Sequence, residues 1–414
     1  MSSTQSTVPN QKGLNPAVVI LAGCAIAAIG FGARSALGLF LGPMMAAVEG
    51  PEWSFEIFGL ALAIQNLFWG LALPIAGALA DKHGSTRVII FGALLYATGL
   101  YGMSVVESAS MLYLFAGVIS GIGIAFSAFS LAMAAMVRVV SPEKRTLVLG
   151  LGTAAGSFGQ VVFSPLSQRL IQSLGWDNAL AWLAIIILSL IPLAMLLPAI
   201  GKGASVEEGN QTLRDAVHEA FAHRGFLLLT MGFFVCGFHV AFITVHFPSY
   251  VQSLGLDLKV GAYCLALIGL FNMAGSILSG YIGQHYSSKL GLSAIYILRS
   301  IVIFWLLMSP KTPAVMYGFA SLMGLLWLST VPLTTGIIAQ VFGVRYMATL
   351  FGIVFLSHQI GSFIGVWLGG VLYARTGSYD GMWWAGIVVG IAAAIIHLPI
   401  NEKPLPRLTR VGVS

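Results

Sequence analysis

The sequence predicts an all-α membrane protein of twelve transmembrane helices in two pseudo-symmetric six-helix bundles. Three observations lead there. The 414 residues are 58% hydrophobic and only 8% charged, with a mean hydropathy of +0.92; a soluble domain carries about 25% charged residues. Apolar runs of about 20 residues, the length a spanning helix needs, recur along the whole chain. One long polar stretch, Gly201 to Arg224, divides those runs into two sets of six, and the two sets echo one another. The runs are continuous, which excludes the period-2 pattern of a transmembrane barrel.

Taken in order, a polar tail (1–16) precedes spans at 17–45, 54–80, 87–106, 110–138, 146–173 and 177–200. A linker (201–224) follows, then spans at 225–253, 258–283, 291–309, 313–340, 347–373 and 379–399, and a tail (400–414). The bundles therefore occupy 17–200 and 225–399. The first apolar run is too long for the h-region of a cleavable leader, so none is expected. Within the linker, Thr212–His223 is expected as an amphipathic surface helix.

Loop charge sets the orientation. With the N-terminus inside, Lys12, Lys82, Arg87, Arg138, Lys144, Arg145, Lys202, Arg214, Arg224, Lys289, Arg345, Lys403, Arg407 and Arg410 are cytoplasmic. Only Arg169, Lys259, Lys311 and Arg375 fall opposite, a bias of fourteen to four that places both termini in the cytoplasm. That placement also makes the net charge of +6 a topology signal, and no nucleic-acid partner is expected. The cysteines Cys24, Cys236 and Cys264 lie in apolar runs at unrelated spacings and read as small core residues.

The internal echoes are specific. Gly77, Asp81, Gly84 and Arg87 follow the second span; Gly280, with Gln284 in the aspartate's place, follows the eighth, 203 residues later. Gly156-Ser157-Phe158 returns as Gly361-Ser362-Phe363, 205 residues on. Such repeats mark duplicated six-helix units. The fifth span carries Gly150, Gly152, Gly156 and Gly159, and the eleventh Gly361, Gly365, Gly369 and Gly370. These small residues are expected to pack the two halves tightly together.

The chemistry centres on Arg34, in a run from Ala17 to Val48 with no other charge. A guanidinium at that depth is expensive and stays protonated, so it needs an anion. The fourteen carboxylates all fall in loops or at span ends: Glu49, Glu52, Glu56, Asp81, Glu107, Glu143, Asp177, Glu207, Glu208, Asp215, Glu219, Asp257, Asp380 and Glu402. A carrier of organic cations normally needs a buried carboxylate. A buried guanidinium without one suits an anionic substrate, held bidentately; the alternative is that Arg34 ties helices together through backbone carbonyls.

Over its whole length the chain resembles the major facilitator superfamily, on the 6+6 organisation and the Gly77, Asp81, Gly84, Arg87 signature. The resemblance implies that Asp81 and Arg87 are gate residues locking cytoplasmic helix ends in the outward-facing state. Gln284 implies that the equivalent lock in the second half is weaker or made differently. Within the superfamily the first half is similar to the monocarboxylate and oxalate porters, on Gly30-Phe31, Arg34-Ser35, Arg138, Lys144-Arg145, Gly150, Ser164-Pro165-Leu166 and Gly175-Trp176. Those porters usually carry an eighth-span arginine with an acid one turn before it. The aligned positions here are Ser276 and Asn272, which leaves Arg34 as the substrate cation.

The implied fold puts the ninth span at the periphery, so Arg299 is expected to be structural. Helices 1, 7 and 11 would line the cavity. There His239 and His358 are candidates for substrate binding and for carrying a symported proton, against neutral histidines bonded between helices. His246, nearer the outer end, reads as a rim residue. Gln65, Asn66, Trp69, Gln160, Asn272, Gln359, Trp327, Ser329 and Thr330 are further polar candidates, and Phe31, Phe238 and Trp327 could wall an apolar substrate body. No phosphate-cradling motif and no catalytic constellation occurs, so neither an ATP-driven pump nor an enzyme is expected, and no cofactor or metal.

The reading is a monomeric inner-membrane secondary transporter of a small organic anion, a monocarboxylate or similar 2-oxo or 2-hydroxy acid, with proton symport and only lipid, protons and substrate as partners. Two alternatives stand beside it: an exporter of an anionic or amphiphilic metabolite on the same fold, and a non-transporting sensor.

Overall fold

In lipid every backbone polar group must be satisfied within its own segment, so each apolar run has to become a helix. The computed structural model describes residues 15–40, 43–44, 55–198 and 211–409, and there the chain is helical without a strand. Twelve helices are long and apolar enough to cross a membrane. The first six are Pro16–Phe40, Ile57–His83, Ser85–Ser104, Ala109–Val139, Pro142–Leu174 and Trp176–Met195. The second six are Arg224–Ser253, Lys259–His285, Ser288–Met308, Pro313–Phe342, Met347–Tyr373 and Asp380–His397. Most of the N-terminal tail and the linker up to 210 lie outside the described residues.

Local chemistry sets the ends. Asn15 caps the first span through its side chain, with Pro16 behind it, and Thr312 and Pro313 repeat the device at the tenth. Gly84 (φ 95°) turns the chain between the second and third spans, a conformation a side chain would strain. The expected linker helix forms at Leu213–Ala222, started by a reciprocal Thr212–Asp215 capping box.

Four spans differ from the continuous helices expected: the first tightens to a 3-10 turn at Leu37–Phe40, the sixth is interrupted at Ser189, and the fourth and tenth are broken near their middles. The fourth has a π-helical stretch at Tyr113–Ile119 and breaks between Phe126 and Phe129. The tenth breaks between Leu326 and Thr330. Fourth and tenth are equivalent members of the two sets, so the repeat extends to their interruptions. Irregular backbone at this depth is tolerated only where protein or a cavity receives its free groups.

Packing corrects the expectation for the glycine sets. Gly150 does face the other half: a β-carbon there would sit 2.9 Å from Gly280 Cα. Gly152 instead abuts Met133 of its own bundle, and Gly159 abuts the Ala28 carbonyl of the first span. Gly361 and Gly365 lie against Phe234 and Phe238 of the seventh span, and Gly369 against His246. These stripes therefore weld the fifth span to the first and the eleventh to the seventh inside each half. Contact between halves is made by the second span along the eleventh and the fifth along the eighth. Gly77 is pressed to the Ala348 carbonyl, and Gly352 to Pro74.

Candidate substrate site and gate

Arg34 lies two turns from the end of the first span, half-buried. Its Nη2 donates to Asn66 Oδ1 at 2.5 Å. Its guanidinium lies 4.4 Å from the centre of the Trp69 ring and 6.0 Å from that of Phe31, so aromatic faces supply part of the missing negative potential. The bond to Asn66 is to a neutral amide, and the cation has no carboxylate partner among the described residues.

From Asn66 a chain of polar groups crosses to the second half. Gln359 Nε2 donates to the Asn66 carbonyl at 3.0 Å, and Gln359 Oε1 accepts from His358 Nδ1 at 3.2 Å. The His358 ring stacks on Phe355 with centroids 5.1 Å apart. Arg34, Asn66, Gln359 and His358 are thus joined where the second span packs on the eleventh.

A small cavity adjoins Arg34 inside the first bundle, lined by Phe31, Trp69, Tyr96, Ile124, Phe129 and the broken backbone at Ser127 and Ala128. Three buried polar atoms of its lining have no partner: Arg34 Nε, Trp69 Nε1 and Tyr96 Oη. Tyr96, in the third span and fully buried, is a residue the sequence reading did not consider.

Other candidates are placed elsewhere. Gln65 donates to the Ala116 carbonyl at 2.8 Å and so serves the π-helical stretch. Asn272 is fully engaged: it donates to Ser157 Oγ in the other half (2.7 Å) and accepts from Leu328 N at the tenth-span break (2.9 Å). Gln160 is half-buried and bonded to no described residue through its side chain. His239 is turned from the interface between halves; its Nε2 donates to the Gly386 carbonyl of the twelfth span at 2.8 Å. His246 Nε2 donates to the Val366 carbonyl at 2.9 Å. Thr330 Oγ1 lies 3.2 Å from Cys236 Sγ, and Ser329 Oγ donates to the Leu325 carbonyl.

Arg299 holds the second broken span. Its Nε and Nη2 donate to the Leu326 carbonyl at 3.1 and 2.6 Å, and Nη2 also donates to the Trp327 carbonyl. A fixed cation thereby satisfies the carbonyls that the break frees.

At the end of the molecule where the linker helix and C-terminal tail lie, Asp81 joins the halves. Arg138 Nη2 donates to its Oδ1 at 3.0 Å, while the backbone N and the Oγ1 of Thr349 both donate to its Oδ2 at 2.8 Å. Thr349 is in the first turn of the eleventh span, where free N–H groups and the helix dipole favour a carboxylate. Arg87 is not part of this lock. It is exposed, and Arg138 from the fourth span takes the place expected for it. The repeat position Gln284 makes no such lock: its carbonyl oxygen is buried without a partner. Arg407 completes the closure, donating to Glu219 of the linker helix (2.9 Å) and to the Phe342 carbonyl (2.6 Å). The first and seventh spans, by contrast, are not packed against each other among the described residues.

Comparison with known proteins agrees with this architecture. Rat monocarboxylate transporter 13 is 26% identical over 87% of this chain and 83% of its own length. The uncharacterized MFS-type transporter YcxA of Bacillus subtilis (strain 168) is 23% identical over 92% and 94%. Among solved structures, the proton:xylose symporter XylE superposes with a TM-score of 0.75 at 14% identity, covering 96% of this chain and 98% of that one. The fucose transporter FucP in its outward conformation gives 0.69 at 14% identity, covering 92% and 98%. The sequence pattern of the Major Facilitator Superfamily matches residues 20–366. Spanning five-sixths of a chain folded as two six-helix halves, that match shows that the protein belongs to the Major Facilitator Superfamily.

Proposed function

We propose that the chain is a secondary active transporter that moves a small monocarboxylate, a 2-oxo or 2-hydroxy acid, together with a proton by alternating access. One observation carries the reading: the membrane-embedded guanidinium of Arg34, held by a neutral amide and two aromatic faces, with no carboxylate among the described residues to balance it. A substrate carboxylate supplies the missing charge through charge-assisted bonds. The relatives named as monocarboxylate transporters support the substrate class.

His358 is the proton carrier in this account. It is the imidazole on the bonded path from Arg34, reached through Gln359, and its ring packs against Phe233 and Phe355 of its own half. His239 has no such connection and serves as a tie between the seventh and twelfth spans. With the termini cytoplasmic, as loop charge requires, the lock at Asp81 closes the inner face, and the described state faces outward across the inner membrane. Asp81 and Arg138 are then the gate pair.

A thermal-shift screen of purified protein against small carboxylates tests the reading, since a ligand that binds the native state raises its melting temperature by mass action. Stabilisation of the wild type that is lost in a folded Arg34→Ala variant is the expected result. An identical response in the variant would make Arg34 a structural residue and remove the basis for the anion.

A further inference from the structure

Tyr96 sets a problem that packing does not solve. The residue is fully buried, and its hydroxyl has no partner among the described residues. Phenylalanine would fill the same volume without a stranded polar group, and leaving a buried hydroxyl unsatisfied is destabilising. The same holds for the Trp69 indole N–H, on a side chain 5% exposed, and for Arg34 Nε. All three residues line one cavity. They come from the first, second and third spans, so no single helix accounts for the coincidence.

The chemistry of the set is selective. Arg and Trp can only donate, and the Tyr hydroxyl donates readily. Three donors and one fixed positive charge around a cavity suit an acceptor-only group of single negative charge. Of the remaining lining, Phe31, Ile124 and Phe129 are apolar, and neither they nor the Ser127–Ala128 backbone carries a charge to balance a second carboxylate.

We infer that Tyr96 and Trp69 are anion-binding residues: the cavity, about 10 Å³ here and so water-sized, widens on binding, the Tyr96 hydroxyl and the Trp69 indole N–H then hold the substrate carboxylate beside Arg34, and the apolar walls restrict the site to monocarboxylates. This rests on the transport reading above and extends it to a residue of the third span. In the other half, 203 residues from Tyr96, stands Arg299, whose Nε and Nη2 donate to the carbonyls of the tenth-span break while its Nη1 is buried without a partner among the described residues. The corresponding cavity in the first half keeps its donors free.

The test is a melting titration of wild type, Tyr96→Phe and Trp69→Phe with pyruvate, L-lactate and, as a dicarboxylate, succinate. Removing the stranded hydroxyl should leave the ligand-free melting temperature of Tyr96→Phe equal to or about 2 °C above wild type. Losing a bond to a charged group should weaken pyruvate or lactate binding about tenfold or more. Trp69→Phe, which keeps an aromatic face for Arg34, should weaken binding similarly, and succinate should bind none of the three. A wild type that responds while Tyr96→Phe responds identically overturns this inference and leaves the transport reading standing. So does a Tyr96→Phe protein that melts lower without ligand, because the hydroxyl would then be structural. A wild type stabilised by succinate as well as by pyruvate overturns the restriction to monocarboxylates. A wild type silent to every acid removes both readings.

Discussion

Arg34 and Arg299 are the two guanidinium groups buried in spans away from the ends, and their surroundings assign them different tasks. Arg299 is fully buried and spends its donors on the carbonyls of Leu326 and Trp327. Replacing it with leucine strands those carbonyls and should lower stability by about 2 kcal/mol or more; a melting temperature unchanged in Arg299→Leu would contradict the structural role. Among the described residues, Arg34 meets an amide and ring faces. Its importance was legible in the sequence because a lone charge in a long apolar run stands out, and so were Asn66, His358 and Gln359 as polar residues at depth. Tyr96 was not legible. A tyrosine in an apolar run is unremarkable until its hydroxyl is seen to lack a partner. His358 carries its own prediction. His358→Gln retains a polar group on the bonded path but does not titrate, so uptake stimulated by external acid should disappear while exchange of substrate across the membrane persists. Acid stimulation surviving in His358→Gln would move the proton elsewhere.

At the scale of the helix, the sequence told where each span lies but not where the fourth and tenth break. Neither break contains a proline or a glycine at its centre: Ser127-Ala128 and Trp327-Leu328-Ser329 are ordinary helical residues. The tertiary partners decide, with Arg299 and Asn272 taking up the freed groups of the tenth span. The glycine stripes were legible as close-packing surfaces, and only their partner was mistaken. Residue spacing fixes that the glycines share a face, yet does not say which helix that face meets. The linker helix gives a pH prediction outside the membrane. The Thr212 hydroxyl, and then its backbone N–H, hold the Asp215 carboxyl below the usual carboxylate range. A depressed folded-state value means that the cap contributes above the unfolded value, near 3.9, and is lost as pH falls through the folded value. Protection of the Leu213–Ala222 amides against hydrogen exchange, taken relative to the intrinsic rate at each pH, should therefore be unchanged between neutrality and about pH 5 and be lost only under stronger acid. Loss of protection near pH 6 would contradict the cap.

For the whole molecule, the two halves are joined at one end by Asp81, Arg138 and Thr349 and, among the described residues, are not closely packed between the first and seventh spans. The duplicated architecture was legible from the repeat, and Asp81 as a candidate gate residue from the family resemblance. The partner of Asp81 was not, because Arg138 is 57 residues away and reaches it only through folding. Removing the carboxylate charge in Asp81→Asn weakens the bonds to Arg138 and to the eleventh-span N-terminus. Cysteines introduced on the two sides of the lock, at Ser85 and Tyr346, should then react faster with a membrane-impermeant maleimide added from the face carrying the lock. An unchanged rate would mean that Asp81 does not hold the gate.

The central claim is that Arg34 binds the carboxylate of a transported monocarboxylate. Counterflow in proteoliposomes addresses it most directly, because exchange needs binding and the alternation of the halves but no net movement of protons. With the acid that most stabilises the purified protein loaded inside, labelled acid outside should accumulate in wild-type vesicles. Vesicles with a folded Arg34→Ala protein should fall to the protein-free background. Counterflow at the wild-type rate in Arg34→Ala would contradict the account.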